Sequence, residues 1–388
     1  MKNKLILSTT SALVALSANA GAQGLLSIGR DYDIDFDRRI PFAVTAGASI
    51  GLDTNANLSP TNEEDSLYAS ANIGLAYNTG DRQISSRYYA NYTPLYYFDP
   101  PVGVDDFLQN IRVGFDYRHR LSERLTITNS AYVAFEVEPN YNIGGTVARR
   151  NDQYLYGYNN LVAAYSWDRR FSTVTSWTAS MIDYEENVFD AQDSWTNTFS
   201  NEFRYALSRT TTLAATYRFS MTDYDSSGID YDSHYFLGGV DRRINPRFTG
   251  SFRAGVQTID GGGSRTEPYF EGALTYYVSK RSSARWYGRY SMADYNLGGD
   301  SDATSAGLSA EHRFNSRLAG NAGIHYTSNS YDTFGGYDHD TLSLSLGFNY
   351  SLAKNVSLNG GYSFTTSDRS FGGDYDRNHL QLGIGAQF

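Results

Sequence analysis

Residues 340–364, DTLSLSLGFNYSLAKNVSLNGGYSF, alternate with period two on both sides of a four-residue break. One row is Leu342, Leu344, Leu346, Phe348 and Tyr350; its alternate is Ser343, Ser345, Gly347, Asn349 and Ser351. After the break, Val356, Leu358, Gly360, Tyr362 and Phe364 alternate with Ser357, Asn359, Gly361 and Ser363. Successive side chains of a strand point to opposite faces, so this pattern specifies extended chain with one apolar and one polar face. The pattern recurs in about eighteen segments, which we place at 41–52, 66–78, 82–96, 106–118, 123–137, 153–167, 170–182, 195–207, 211–222, 233–241, 247–258, 267–278, 282–293, 304–314, 317–327, 341–351, 354–365 and 377–388. Each is close to the ~9–11 residues that a tilted membrane strand needs.

The connections show which solvent the apolar face meets. They alternate between short (TGD, RLSE, DRR, SRT, RRINPR, SKRS, NSR, AKN) and long (such as DTNANLSPTNEED, DYEENVFDAQDS and SNSYDTFGGYDHD). A soluble sandwich has no reason for that asymmetry, whereas outer-membrane barrels pair short periplasmic turns with longer outer loops. Aromatic residues end the apolar rows beside the short turns: Tyr77, Tyr117, Trp167, Phe171, Tyr205, Phe248, Tyr276, Phe314 and Tyr350. Rings with an apolar body and a polar tip suit the headgroup level. We therefore expect an all-β fold, a single antiparallel up-and-down transmembrane barrel of about eighteen strands.

Composition agrees by exclusion. The chain has 33 Tyr and no Cys, which removes disulfides and thiolate metal sites. Its net charge of −10 argues against a nucleic-acid partner. Mean hydropathy is −0.47, yet a barrel hides its apolar residues in alternate positions. Lys2 and Lys4, the apolar run Leu5–Leu16 and the small residues SANAGA read as an export signal over 1–22. Residues 23–40 then form a charged periplasmic lead-in, and 41–388 the barrel in the outer membrane of a Gram-negative (diderm) bacterium.

The polar rows face the lumen and supply candidate wall and selectivity residues: Arg87, Arg112, Asp116, Arg118, Glu202, Arg204, Arg218, Arg253, Glu271, Arg285, Arg289, Glu311 and Arg313, with Glu136 on the same face. Tyr154, Tyr156 and Tyr158 share one row and are candidates for stacking on sugars. The outer loops are acidic, and divalent ions would bridge them to lipopolysaccharide. Asp223, Asp225 and Ser227 resemble the start of a calcium loop, but His234 stands where the closing Glu is needed, so no metal and no cofactor is assigned. His339 lies between Asp338 and Asp340, an Asp–His neighbourhood without a nucleophile motif; we expect no enzyme.

The last row, Leu380, Leu382, Ile384, Ala386 and Phe388, resembles the closing strand of outer-membrane porins. The resemblance implies that Phe388 is the signal read by the barrel-assembly machinery. The phrases DRRFSTVTSWTASMIDYE, YALSRTTTLAATYRFSMTDYD and SLAKNVSLNGGYSFTTSDR resemble the Putative beta-barrel porin 2 family (OmpL-like), over nearly the whole mature chain. That implies outer-membrane diffusion or exopolysaccharide export. The expected function is a channel for small hydrophilic solutes, including saccharides. Two alternatives stay open: an exopolysaccharide conduit working with periplasmic partners, and a structural or adhesive barrel with a filled lumen. Oligomeric state is not legible.

Overall fold

The computed structural model describes residues 41–388, apart from 82, 138–152, 186–192, 226–229, 262, 294–300, 332–336 and 371–372. The expectations for residues 1–40 and for Ser227 lie outside the described residues.

Eighteen strands run β1 Phe42–Asp53, β2 Ser66–Gly80, β3 Ile84–Tyr97, β4 Phe107–Arg120, β5 Leu125–Val137, β6 Gln153–Ser166, β7 Phe171–Tyr184, β8 Ser194–Ala206, β9 Thr211–Tyr224, β10 Tyr231–Asn245, β11 Phe248–Asp260, β12 Ser264–Ser279, β13 Ser282–Ala293, β14 Ser301–Arg313, β15 Leu318–Tyr331, β16 Tyr337–Ser351, β17 Val356–Arg369 and β18 Tyr375–Gln387. Each strand pairs antiparallel with its neighbours in sequence, and β1 pairs with β18, so the sheet closes with no free edge. At the seam the Val44 and Phe388 backbones exchange hydrogen bonds of 3.1 and 2.9 Å. The upper end of the seam is locked by side chains. Arg377 on β18 donates to Asp53 on β1, which also accepts from the Tyr97 hydroxyl at 2.7 Å, while Tyr68 stacks on His379 with centroids 5.0 Å apart.

The inner face is identified by reach. Arg253 on β11 contacts Glu202 on β8 at 3.1 Å, with two strands intervening, which only the concave side allows. Register then carries that face around the barrel. The opposite rows, including Leu344, Leu346, Val113 and Phe252, point outward and are exposed. All nine aromatics expected at the short-turn end lie on outward rows or continue them. Phe248 stacks on Tyr276 at 4.2 Å, and Tyr165 meets Trp167 edge-on at 4.8 Å. On β8, Trp195 and Tyr205 share the outward face ten residues apart, roughly 25 Å along the barrel axis at ~40° tilt, the height of the apolar band of such barrels.

The short turns are short because a side chain closes them. In seven of eight, an Asp, Ser or Asn oxygen accepts backbone N–H groups two or three residues on: Asp81, Ser122, Asp168, Ser208, Asn245, Ser279 and Asn315. This local bond replaces backbone partners that a tight reversal cannot offer. At Asp168 the two donors, Arg170 and Phe171 N–H, hold the carboxyl below the usual carboxylate range. The eighth turn closes on Leu352 and Ala353 N–H, both donating to the Val356 carbonyl.

The strands outrun the sequence estimate mainly on the long-loop side. β15 ends at Tyr331 rather than 327, β16 starts at Tyr337 rather than 341, and β17 ends at Arg369 rather than 365, while β10 also runs on to Asn245 at its short turn rather than stopping at 241. Beyond the lipid the outward face meets water and its residues turn polar, so hydropathy stops alternating while the hydrogen-bond ladder continues. Hydropathy marks the membrane band, not the strand.

Candidate functional site: the lumen wall

Every wall residue expected from the alternation falls on an inward row by register: Arg87 and Arg118 with Asp116 on β3–β4, Arg112 on β4, Glu202, Arg204 and Arg218 on β8–β9, Arg253 and Glu271 on β11–β12, Arg285 and Arg289 on β13, and Glu311 and Arg313 on β14. The fold does not leave them as one ring of charge. It sorts them into sets with different fates.

The first set is self-neutralised. Arg253, 1% exposed, donates to Asp241 at 2.9 and 3.2 Å and to Glu202 at 3.1 Å. Arg204 reaches the same two carboxylates, and Thr216 donates to Glu202 at 3.0 Å. Two guanidinium forks thus face two carboxylates, each donor set matching an acceptor pair. Asp241 was absent from the sequence-derived set, although the row Tyr231, Ser233, Tyr235, Leu237, Gly239 runs straight into it. The signal was there, four residues before the strand ends. Gly239 makes the square fit: a Cβ there would overlap the Arg253 side chain, which crosses β10 to reach β8.

Beside the square, Arg218 lies over the rings of Tyr235 and Tyr269 (5.1 and 5.7 Å to centroid) and 3.8 Å from Glu271. Tyr269 donates to Glu271 at 2.6 Å. Gln257 holds Tyr235 and both backbone groups of Met292, at 2.9–3.1 Å. Farther round, Arg112 pairs with Glu136 and sits 4.6 Å over Tyr132. Glu136 also accepts from Tyr154 at 3.3 Å.

The row Arg285, Tyr287, Arg289 on β13 differs. Its cross-strand partners are Thr275, Ala273 and Glu271 on β12, and Ser309, Gly307 and Ser305 on β14. Glu271 is the one acid among them, and it is shared with Arg218 and Tyr269. Tyr287 lies flat over Gly307 and reaches His325 on β15 at 2.6 Å. Two guanidiniums therefore stand on one inward row here, with Glu271 the one acid paired directly across from it. Gly307→Val is expected to push the Tyr287 ring off the wall and into the lumen. Single-channel conductance in planar bilayers should fall, and adding Tyr287→Ala should restore it; unchanged conductance in the single variant would refute this packing role.

The three stacking candidates are on the inward row of β6, but they do not offer equal surfaces. Tyr154 and Tyr156 are buried, packed against Tyr184 (5.8 Å from Tyr154) and Tyr132 (5.8 Å from Tyr156). Tyr132 and Tyr158, half-buried and 5.3 Å apart, are the rings that a passing molecule would meet. His339 is buried on the inward face against the Ser367 hydroxyl at 2.9 Å, whereas Asp338 and Asp340 alternate to the other face. Strand geometry separates the His from both neighbours. Asp223 is on an outward row, Asp225 N–H donates to the Asp193 carbonyl, and no group of metal-binding side chains occurs among the described residues.

Comparison with known proteins gives a family likeness for the C-terminal part. Residues 266–388, β12 to the end, match the family model described as Putative beta-barrel porin 2. The match covers SLAKNVSLNGGYSFTTSDR but not the two other phrases that resemble the family, which lie in β7 and β8–β9. No curated protein matches the chain. Among solved structures, the Pseudomonas aeruginosa outer membrane protein OpdK is 12% identical with TM-score 0.49, covering 89% of this chain and 99% of that one. Acinetobacter baumannii OccAB4 is 10% identical with TM-score 0.47, covering 89% and 98%. Pseudomonas aeruginosa OccK8 (OprE) is 12% identical with TM-score 0.46 and the same coverage. The likeness to the porin family model is confined to residues 266–388, while the closed eighteen-stranded barrel is seen directly in the fold.

Proposed function

We propose that this outer-membrane porin barrel is a passive channel for small hydrophilic solutes, with a preference for anions. One observation carries the preference: the Arg285–Tyr287–Arg289 row puts two guanidiniums on one inward row, and the residues paired directly with it on β12 and β14 include one acid, Glu271, which Arg218 also approaches. By contrast, Arg204 and Arg253 are offset in place by Glu202 and Asp241, and Arg112 by Glu136. Eighteen strands at ~4.8 Å spacing and ~40° tilt make a backbone cylinder roughly 35 Å across, wide enough for water after side chains are added. Wall charges act on a passing ion at close range, whereas loop carboxylates are screened within roughly 8–10 Å. The acidic loops and the net charge of −10 therefore do not decide the sign.

Saccharides are the finer form of this reading, supported by the half-buried ring of Tyr158 beside Tyr132 on the inward face. The barrel-assembly machinery and lipopolysaccharide remain proposed partners. The test is the reversal potential under a salt gradient in planar bilayers. The parent is expected to favour anions. Arg285→Gln with Arg289→Gln should move the reversal potential toward cations, and Asp338→Asn with Asp340→Asn should move it little. Cation preference that ignores the Arg changes would overturn the assignment, and absence of conductance would favour the filled barrel.

A further inference from the structure

The connection between β1 and β2, residues 54–65, does not stand clear of the barrel. Ala56 is fully buried against Tyr68, Tyr97 and Leu108, with Leu95 and Val104 packed beside them. Register puts Tyr68 on β2, Tyr97 on β3 and Leu108 on β4 on inward rows, at the loop-side ends of their strands. Ala56 is three residues past the end of β1, yet it meets side chains from three successive strands. Only the concave side of the sheet allows that, so the chain turns into the mouth as it leaves β1. The wall covers one side of Ala56 and returning chain another: its N–H donates to the Glu64 carbonyl at 2.9 Å.

Hydrogen bonds fix the loop there. Asn55, also fully buried, uses its whole amide: Oδ1 accepts the Ser59 N–H at 2.7 Å, and Nδ2 donates to the carbonyls of Ser59 and of Asp376 on β18, at 2.9 and 3.0 Å. Asn57 repeats the device, donating to the Asn62 carbonyl at 2.8 Å and accepting from Glu64 N–H at 3.2 Å. Val102 N–H in the β3–β4 loop donates to the Glu64 carboxylate at 3.4 Å, and Pro60 lies close against Gly373 in the β17–β18 loop. The non-glycine residues at positive φ among the described residues, Asn55 (56°) and Leu58 (50°), are both in this loop. Asparagine adopts that conformation readily and leucine does not, so the bonds hold a backbone that would otherwise relax. We propose, resting on the channel reading above, that the β1–β2 loop is the fixed constriction of the pore: it narrows the outer mouth over the arc from β18 to β4 and sets the size of solute that passes. An eighteen-stranded wall by itself encloses a bore far wider than a small solute. Size discrimination therefore needs an element that leaves the wall, and this loop supplies one. Asn55 is its positioning residue.

Replacing residues 55–64 by an Asn-Gly turn keeps Asp53 and the seam lock and closes β1 on β2 directly. In planar bilayers the single-channel conductance of this variant should rise by about 1.5- to 2-fold, since current follows the open cross-section. In liposome swelling, raffinose should enter at a rate closer to that of arabinose than it does through the parent. Asn55→Ala should keep the heat-dependent gel shift of the folded barrel but turn a steady open level into flicker between narrow and wide levels, which a purely structural role would not produce. Thr61 is exposed on the loop, and the chain has no cysteine, so Thr61→Cys should lose current on reaction with a bulky methanethiosulfonate. Unchanged conductance and an unchanged sugar ratio in the shortened variant of a conducting parent would overturn the constriction while the channel reading stands. A silent parent that conducts once the loop is shortened would support it, and silence of both would overturn the channel reading and the constriction together.

Discussion

Met in place of Arg253 is expected to destabilise the folded barrel by about 3 kcal/mol, the lower end of the 3–5 kcal/mol for breaking a buried charge pair. The lower end applies because the square borders the lumen and Asp241 is 18% exposed. The loss comes less from the missing bonds than from what stays behind. Glu202 and Asp241 would share one remaining cation, Arg204, in a wall where Glu202 is 3% exposed. Removing the charges together changes the outcome: Arg253→Met with Glu202→Gln keeps the remaining Arg204–Asp241 pair balanced and should recover at least half of the loss. A denaturant titration of folding into lipid vesicles, read by tryptophan fluorescence, measures both. Equal stability of the single variant and the parent would mean that lumen water already solvates the square.

Arginine at position 344 is expected to cost about 2–4 kcal/mol, the measured range for a basic side chain at mid-membrane on a barrel's lipid face. Leu344 lies centrally on β16, outward, between Ile324 and Phe364. Arginine at Ser345, one residue on, faces the lumen beside Gly323 and Ser363 and should change stability by about 0.5 kcal/mol or less. The same titration distinguishes them. A larger effect at 345 would show that the inner and outer faces are exchanged, and every wall assignment would change with them.

How much of this was readable beforehand depends on the physical signal. The lipid face was legible because a bilayer imposes one chemistry on alternate residues, as in Leu342–Tyr350, and the lumen rows follow as the complement. Strand number and closure were legible because eight short turns alternate with long loops, although the side-chain bonds that close them appear only in the fold. Strand ends beyond the membrane were not, since Tyr337–Asp340 and Thr366–Arg369 carry no apolar–polar alternation to read. Asp241 was missed although it continues the inward row of β10, four residues before that strand ends.

What sequence by itself determined is the side each residue faces, because a period of two is a local property of extended chain. Only the tertiary structure decided which residues on one side meet. Arg253 and Glu202 are 51 positions apart and three strands distant, joined because the wall curves and Gly239 leaves room. The same curvature brings Arg204 and Arg253 onto Glu202 and Asp241, whereas the residues paired directly with the Arg285–Arg289 row include one acid, Glu271. Alternation fixes direction. The register of eighteen strands around a closed cylinder sets the neighbours.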